Sequence, residues 1–239
     1  MEALRQDLAG PDAADITAAS LAVARRLQRA GTVWCAAPSW PGLAKQVAGG
    51  LVPAAAGGES PGPALRAVPD GADLVGTLRA LSGSGDVLVL MATADDPAIG
   101  GLRQRAAAWG LLTVWIARGE RPPAGAADYV LWDTGPGSLD VAALVAVSHR
   151  LFALALECLR NPGLLEPEQA ECNEEVCITC SDEGRLGEVV GVRPDGQAEI
   201  RTPSGLETID TTLIGDACPG DLVLVHAGAA LCLVMKEAG

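Results

Sequence analysis

Three cysteines, Cys172, Cys177 and Cys180, fall within nine residues, and His226 follows close to the end of the chain. Glu171, Glu174, Glu175, Asp182 and Glu183 flank the sulfurs, so burial in an apolar core does not account for the cluster. The spacing Cys-x4-Cys-x2-Cys suits a single metal ion. Zinc completed by His226, Cys218 or Cys232 is one reading. A plant-type [2Fe–2S] cluster, which has this spacing and a distant fourth cysteine, is another. Idle thiols are the third. A second set of groups lies earlier: Ser39 and Thr93, each in a turn after an apolar run, and His149 inside a long helical pattern. Hydroxyls beside the free N–H groups of a helix N-terminus bind phosphate well. His149 is an acid/base group without an evident partner, and equally a histidine packed into a helix.

The elements that must position Ser39, Thr93 and His149 read as alternating helix and strand. Apolar residues at helical spacing predict a helix over about 12–30, capped by Asp12 or Asp15 and stopped by Gly31. Unbroken apolar runs at 32–37, 87–91, 111–117 and 129–132 predict strands covered on both faces. Helices are predicted over 43–51, 73–81, 97–109 and 138–160, and the Gly/Pro-rich stretch from Pro53 to Pro69 reads as irregular loop. Strands alternating with helices imply right-handed βαβ units around a parallel sheet. Beyond Pro162 the pattern changes to short runs broken by Asp195-Gly196, Ser204-Gly205 and Pro219-Gly220-Asp221, which predicts a small antiparallel barrel. The expected organisation is an α/β domain over 1–161, an acidic linker over 162–175 and a barrel domain over 176–239.

Composition narrows the classes. The 239 residues carry 17 Lys+Arg against 30 Asp+Glu, a formal net charge of −13. A basic footprint for nucleic acid is missing. No apolar run is expected to reach the ~18 residues that span a bilayer. The N-terminus lacks the basic-then-apolar order of a secretory signal. A cytoplasmic protein without nucleic-acid or membrane partners is the expectation, and there cysteines bind metal or do thiol chemistry more often than they form disulfides.

Residues from about 10 to 160 resemble a SIS (sugar isomerase) domain of the sedoheptulose 7-phosphate isomerase branch. The resemblance rests on Gly85–Leu90 and Trp109–Ile116 as core strands and on Ser148–Glu157 as the closing helix. It implies a phosphosugar pocket that would involve Ser39, Thr93 and His149. The departures point away from catalysis. Where the family has a hydroxyl-rich phosphate loop, this chain has Ala92-Thr93-Ala94-Asp95-Asp96-Pro97, and its catalytic glutamate position corresponds to Gly50. The resemblance therefore implies a non-catalytic domain that forms a homodimer or homotetramer and docks partners.

Val176-Cys177-Ile178-Thr179-Cys180-Ser181-Asp182, Gly187-Glu188-Val189-Val190 and above all the run Pro219–Ala230 resemble the HypC/HupF family of [NiFe]-hydrogenase maturation chaperones. That resemblance covers about residues 176–236. It implies an OB-like barrel that carries iron with cyanide and carbonyl ligands to the hydrogenase large-subunit precursor, together with a HypD-type partner. Cys177 or Cys180 would hold the iron, with His226 as a further ligand or a modulator of the thiol and Cys172 as an additional thiol. Zinc remains the alternative metal. In the family the cysteine follows the initiator Met, whereas Cys177 is internal. Taken together, the expected function is a hydrogenase maturation factor and not an enzyme. The alternatives are a sugar-phosphate isomerase or phosphosugar sensor, and a structural zinc protein.

Overall fold

The computed structural model describes residues 11–55, 64–118, 127–133, 141–165 and 184–236. Cys172, Cys177 and Cys180, together with the whole acidic stretch from 166 to 183, lie outside them. The described residues form two compact units, one within 1–103 and 112–166, the other within 104–111 and 167–239.

The first unit begins with α1 (Ala13–Gln28), whose first turn is capped by Asp12 Oδ1 accepting from Ala14 N at 2.8 Å. Its apolar stripe Ile16, Ala19, Val23, Ala24 and Leu27 is buried, as the helical spacing requires. Gly31 then brings the chain so close to its neighbour that a Cβ there would lie 2.6 Å from the Gly85 carbonyl oxygen. There follow β1 (Val33–Ala36), α2 (Leu43–Ala55), β2 (Leu65–Ala67), α3 (Leu74–Leu81), β3 (Val87–Met91), α4 (Pro97–Ala108), β4 (Leu112–Arg118), β5 (Tyr129–Asp133) and α5 (Val141–Arg160).

The five strands pair in parallel in the order β2-β1-β3-β4-β5. Every residue of β1 and β3 is buried, which is why they read as unbroken apolar runs. One face of the sheet offers Val33, Cys35, Val87, Val89, Met91, Val114 and Ile116 to a core shared with α1, α2 and α5. The alternate residues Trp34, Leu88, Leu90 and Trp115 are buried as well, and a Cβ on Gly101 of α4 would lie 3.7 Å from Val75 Cγ2 of α3.

Two sequence expectations need correction here. The stretch 53–69 is not all loop: α2 continues to Ala55, and Leu65-Arg66-Ala67 forms edge strand β2 on β1. Three residues without a β-branched side chain carry no period-2 signal; their strand character comes from the partner. Also, against the expectation that no apolar run reaches the length of a bilayer span, α5 has the length and composition of one. Leu144, Ser148, Leu151, Phe152 and Ala155 on it are nonetheless buried, and Ser20 Oγ of α1 donates to the Leu151 carbonyl oxygen at 3.0 Å.

The second unit is a closed barrel of β6 (Arg185–Val192), β7 (Gln197–Thr202), β8 (Gly205–Asp210), β9 (Leu222–His226) and β10 (Ala229–Met235), ordered β10-β8-β7-β6-β9. Counted from β6, the strands run first, second, third, fifth, fourth and back to the first, the circuit of an OB-like barrel. It is antiparallel except at the β8–β10 closure, where Ala229 pairs with Asp210 in parallel. Val189, Ala198, Ile200, Ile209, Val223, Val225 and Ala230 fill the interior. Gly187 packs closely against that interior: a Cβ there would lie 2.6 Å from Ile200 Cδ1. Residues 104–111 belong to this unit: Arg105 Nη1 lies 2.9 Å from Glu188 Oε1, and Trp109 Nε1 donates to Glu188 Oε2 at 2.6 Å. Arg105 also donates to the Gly220 carbonyl oxygen, and Arg201 stacks on the Trp109 ring.

Candidate functional site

In an open α/β sheet, ligands sit beyond the carboxyl ends of the strands where the strand order reverses. Here the chain leaves β1 towards β2 and returns across the sheet to β3, so the reversal lies between β1 and β3. Residues 37–42 and 92–96 are the two loops that flank it. Asp86 clamps the opposite, amino-terminal ends of the same two strands. Its Oδ1 accepts from Thr32 N at 2.8 Å, and its Oδ2 accepts from Trp34 Nε1 at 2.9 Å and Gly83 N at 2.8 Å.

Carboxylates, not hydroxyls, dominate the crevice. Ser39 Oγ donates to Asp96 Oδ2 and so joins the two loops across the reversal point. Asp96 stands just before Pro97, the first residue of α4, where a short acidic residue caps a helix well. Both oxygens of Asp70 accept from Gly42 N, each at 3.0 Å, immediately ahead of α2. Beside this contact lies a cleft of about 140 Å³ lined by Ala36, Ala37, Pro38, Pro41, Val68, Pro69, Asp70, Gly71, Ala72 and Leu74. Among the described residues no lysine or arginine lines it.

Of the phosphosugar candidates, Ser39 and Thr93 are brought to the same strand ends. Thr93 accepts through its carbonyl oxygen from Asp96 N at 3.2 Å and so shapes the turn. His149 is exposed on α5 and faces α2: a Cβ added at Gly50 would lie 3.1 Å from its Nε2. Gly50 is seven residues into α2, roughly 10 Å along its axis from the crevice. Asp70 escaped the sequence reading altogether, because no local pattern links it to residue 42. In the sequence Asp96 stands out only as part of a loop that departs from the hydroxyl-rich phosphate loop of the SIS family.

Of the metal candidates, His226, Cys218 and Cys232 lie among the described residues, with His226 half-buried at the end of β9. The run Pro219–Ala230 forms a turn, a strand and a second turn. Asp221 Oδ2 accepts from Cys218 N at 2.9 Å, and Ala227 and Gly228 take φ of 49° and 80°, the double left-handed pair of a type I′ hairpin. Cys218 and Cys232 are exposed. Among the described residues no group of three or more His, Cys, Asp or Glu side chains comes together as a metal site. Cys35 is buried in β1, where loss of hydration pushes its thiol up to about 12 and leaves it unreactive.

No protein-family model matches the chain, and no curated protein sequence matches it. Solved structures do. A protein named as a phosphosugar isomerase involved in capsule formation, from Bacteroides fragilis, is 14% identical, with a TM-score of 0.51 over 66% of this chain and 88% of that one. The sugar isomerase domain of an RpiR transcription factor from Sphaerobacter thermophilus is 21% identical, covering 69% and 88% with a TM-score of 0.48. A phosphoheptose isomerase from Francisella tularensis is 17% identical, covering 61% and 86% with a TM-score of 0.45. These likenesses lend no support to the resemblance of the barrel to HypC/HupF. The first of these shows a fold, the SIS-like parallel-sheet α/β unit, which in this chain is joined to a closed five-stranded barrel.

Proposed function

We propose that the α/β unit is a SIS-type sugar-recognition module that does not isomerise its ligand. The pairing of Gly50 with His149 carries this reading. The resemblance puts the isomerases' catalytic glutamate at Gly50 and their histidine at His149, and here the two positions are neighbours, 3.1 Å from a would-be Cβ to Nε2. Aldose–ketose interconversion moves a proton between adjacent carbons while another proton moves on the oxygens. One imidazole facing a glycine lacks the second group. Binding in the strand-end crevice remains, which suits a sensor or a docking module forming a homodimer or homotetramer. The test is a thermal-shift screen of sugars and sugar phosphates, with NMR of the same mixtures to detect interconversion. A saturable shift without interconversion is expected. Turnover of any phosphosugar would refute the non-catalytic assignment, and no shift with any sugar would refute recognition.

For the barrel, a second reading is favoured by the placement of the run Pro219–Ala230, which forms β9 and both of its turns in a closed OB-like barrel. In this reading the barrel handles the iron fragment of [NiFe]-hydrogenase assembly. Cys177 or Cys180 would be the thiolate ligand, His226 its neighbour and Cys172 an additional thiol. A HypD-type protein and the large-subunit precursor would be the partners. Soft thiolates suit an iron that bears cyanide and carbon monoxide. Infrared spectra of anaerobically co-expressed protein should then show cyanide and carbonyl bands, absent after Cys177→Ala and Cys180→Ala together. Stoichiometric zinc in place of iron would replace this reading with a structural metal site.

A further inference from the structure

We propose that Asp70 sets the ligand class of the crevice: its carboxylate occupies the position a ligand phosphate would take, so that the module accepts uncharged, polyhydroxylated ligands and rejects phosphorylated ones. This rests on the sugar-recognition reading and sharpens it. Two loops from opposite sides of the strand-order reversal each deliver a carboxylate to a donor that an incoming phosphate would need. Asp70, 28 residues along the chain from Gly42, holds the N–H ahead of α2 with both oxygens at 3.0 Å. Asp96, 57 residues from Ser39, takes the only hydroxyl of residues 36–42. The adjoining cleft is walled mainly by alanine, proline and valine, with Asp70 as its one charged group among the described residues.

A phosphate dianion placed there would meet a fixed negative charge within a few ångströms, with no cation among the described lining residues to offset it. A sugar hydroxyl, in contrast, can donate to a carboxylate oxygen, which has lone pairs beyond the one that Gly42 N engages. Carboxylate recognition of hydroxyls and exclusion of phosphate are thus two consequences of one side chain.

The test uses the full chain, with inorganic phosphate and matched hexoses and heptoses with and without a phosphate group as probes. Ionic strength is held constant with chloride. Wild type should show no saturable thermal shift with inorganic phosphate. Asp70→Ser, which frees Gly42 N and removes the charge, should gain one, with an apparent affinity at least tenfold above that of wild type. Asp70→Asn keeps an acceptor for Gly42 N at nearly the same volume and serves as the second variant should the serine form fold poorly; it too should bind phosphate at least several-fold better than wild type. Wild type responding to phosphate as strongly as either variant overturns the proposal. So does a folded variant without a gain. Failure of every neutral sugar to shift wild type sinks the sensing reading instead, and leaves the phosphate gain of the variants as the separate readout for Asp70.

Discussion

Removing the Asp86 carboxylate should loosen the two strands that carry the crevice, and the size of the effect follows from its three donors. Trp34 Nε1, Thr32 N and Gly83 N all point at this one side chain, which is 8% exposed. In Asp86→Ala each loses a charged acceptor. Trp34 is 4% exposed, so its indole N–H stays dry and costs about 2 kcal/mol, whereas Thr32 and Gly83 are more open, can turn to water, and cost about 0.5–1 kcal/mol each. The sum is about 3–4 kcal/mol. At the ~2–4 °C per kcal/mol usual for domains of 150–250 residues, the α/β unit should melt roughly 10 °C earlier by far-UV circular dichroism. A double-mutant cycle isolates the buried bond. Trp34→Phe keeps the ring under Arg66, whose guanidinium carbon sits 5.6 Å from the centroid, and deletes only the donor. The coupling between Asp86→Ala and Trp34→Phe should be about 1–2 kcal/mol. Strict additivity would refute the argument, since it would mean the indole finds equal company without the carboxylate.

The barrel unit should respond similarly to loss of its buried ion pair. Glu188→Ala leaves Arg105 buried without its carboxylate and the Trp109 indole without an acceptor, which should cost about 3–5 kcal/mol in urea unfolding; a cost below about 1 kcal/mol would show the pair to be solvated. Cys35 should resist iodoacetamide in the native protein while Cys218 and Cys232 react, as read by peptide mass spectrometry. Its protonation also sets a direction with pH. The thiol stays protonated up to about 12 in the fold against 9.0 ordinarily, so between those values the unfolded chain binds fewer protons and stability falls as pH rises. Cys35→Ala should remove that part of the slope above pH 9 and none below it.

The strands β3 and β4 and the helices α1, α3, α4 and α5 were legible because each buries a side-chain pattern whose period belongs to one element type. Barrel strands were legible through Asp-Gly and Ser-Gly turns, which only a few backbone conformations explain. Edge strand β2 was not, because Leu65-Arg66-Ala67 has no intrinsic preference and becomes a strand by pairing with Val33, Trp34 and Cys35. The site was legible in part. Ser39, Thr93 and His149 could be named as chemically able groups, and the Gly50 departure could be noticed. That Gly50 faces His149, that Ser39 is claimed by Asp96 and that Asp70 sits ahead of α2 could not.

By itself, then, the sequence determined the alternation of strand and helix, the change to a barrel, the acidic excess and the side chains available for chemistry. All of these are local or compositional properties. Which carboxylate meets which donor was decided by the tertiary structure alone. Contacts across 28, 57 and 99 residues, such as Gly42 with Asp70, Ser39 with Asp96 and Gly50 with His149, depend on strand order and helix placement, and these follow from burying both faces of one sheet. The crevice of this protein is therefore a product of topology. Its loops carry the residues, but the reversal of strand order between β1 and β3 brings them together.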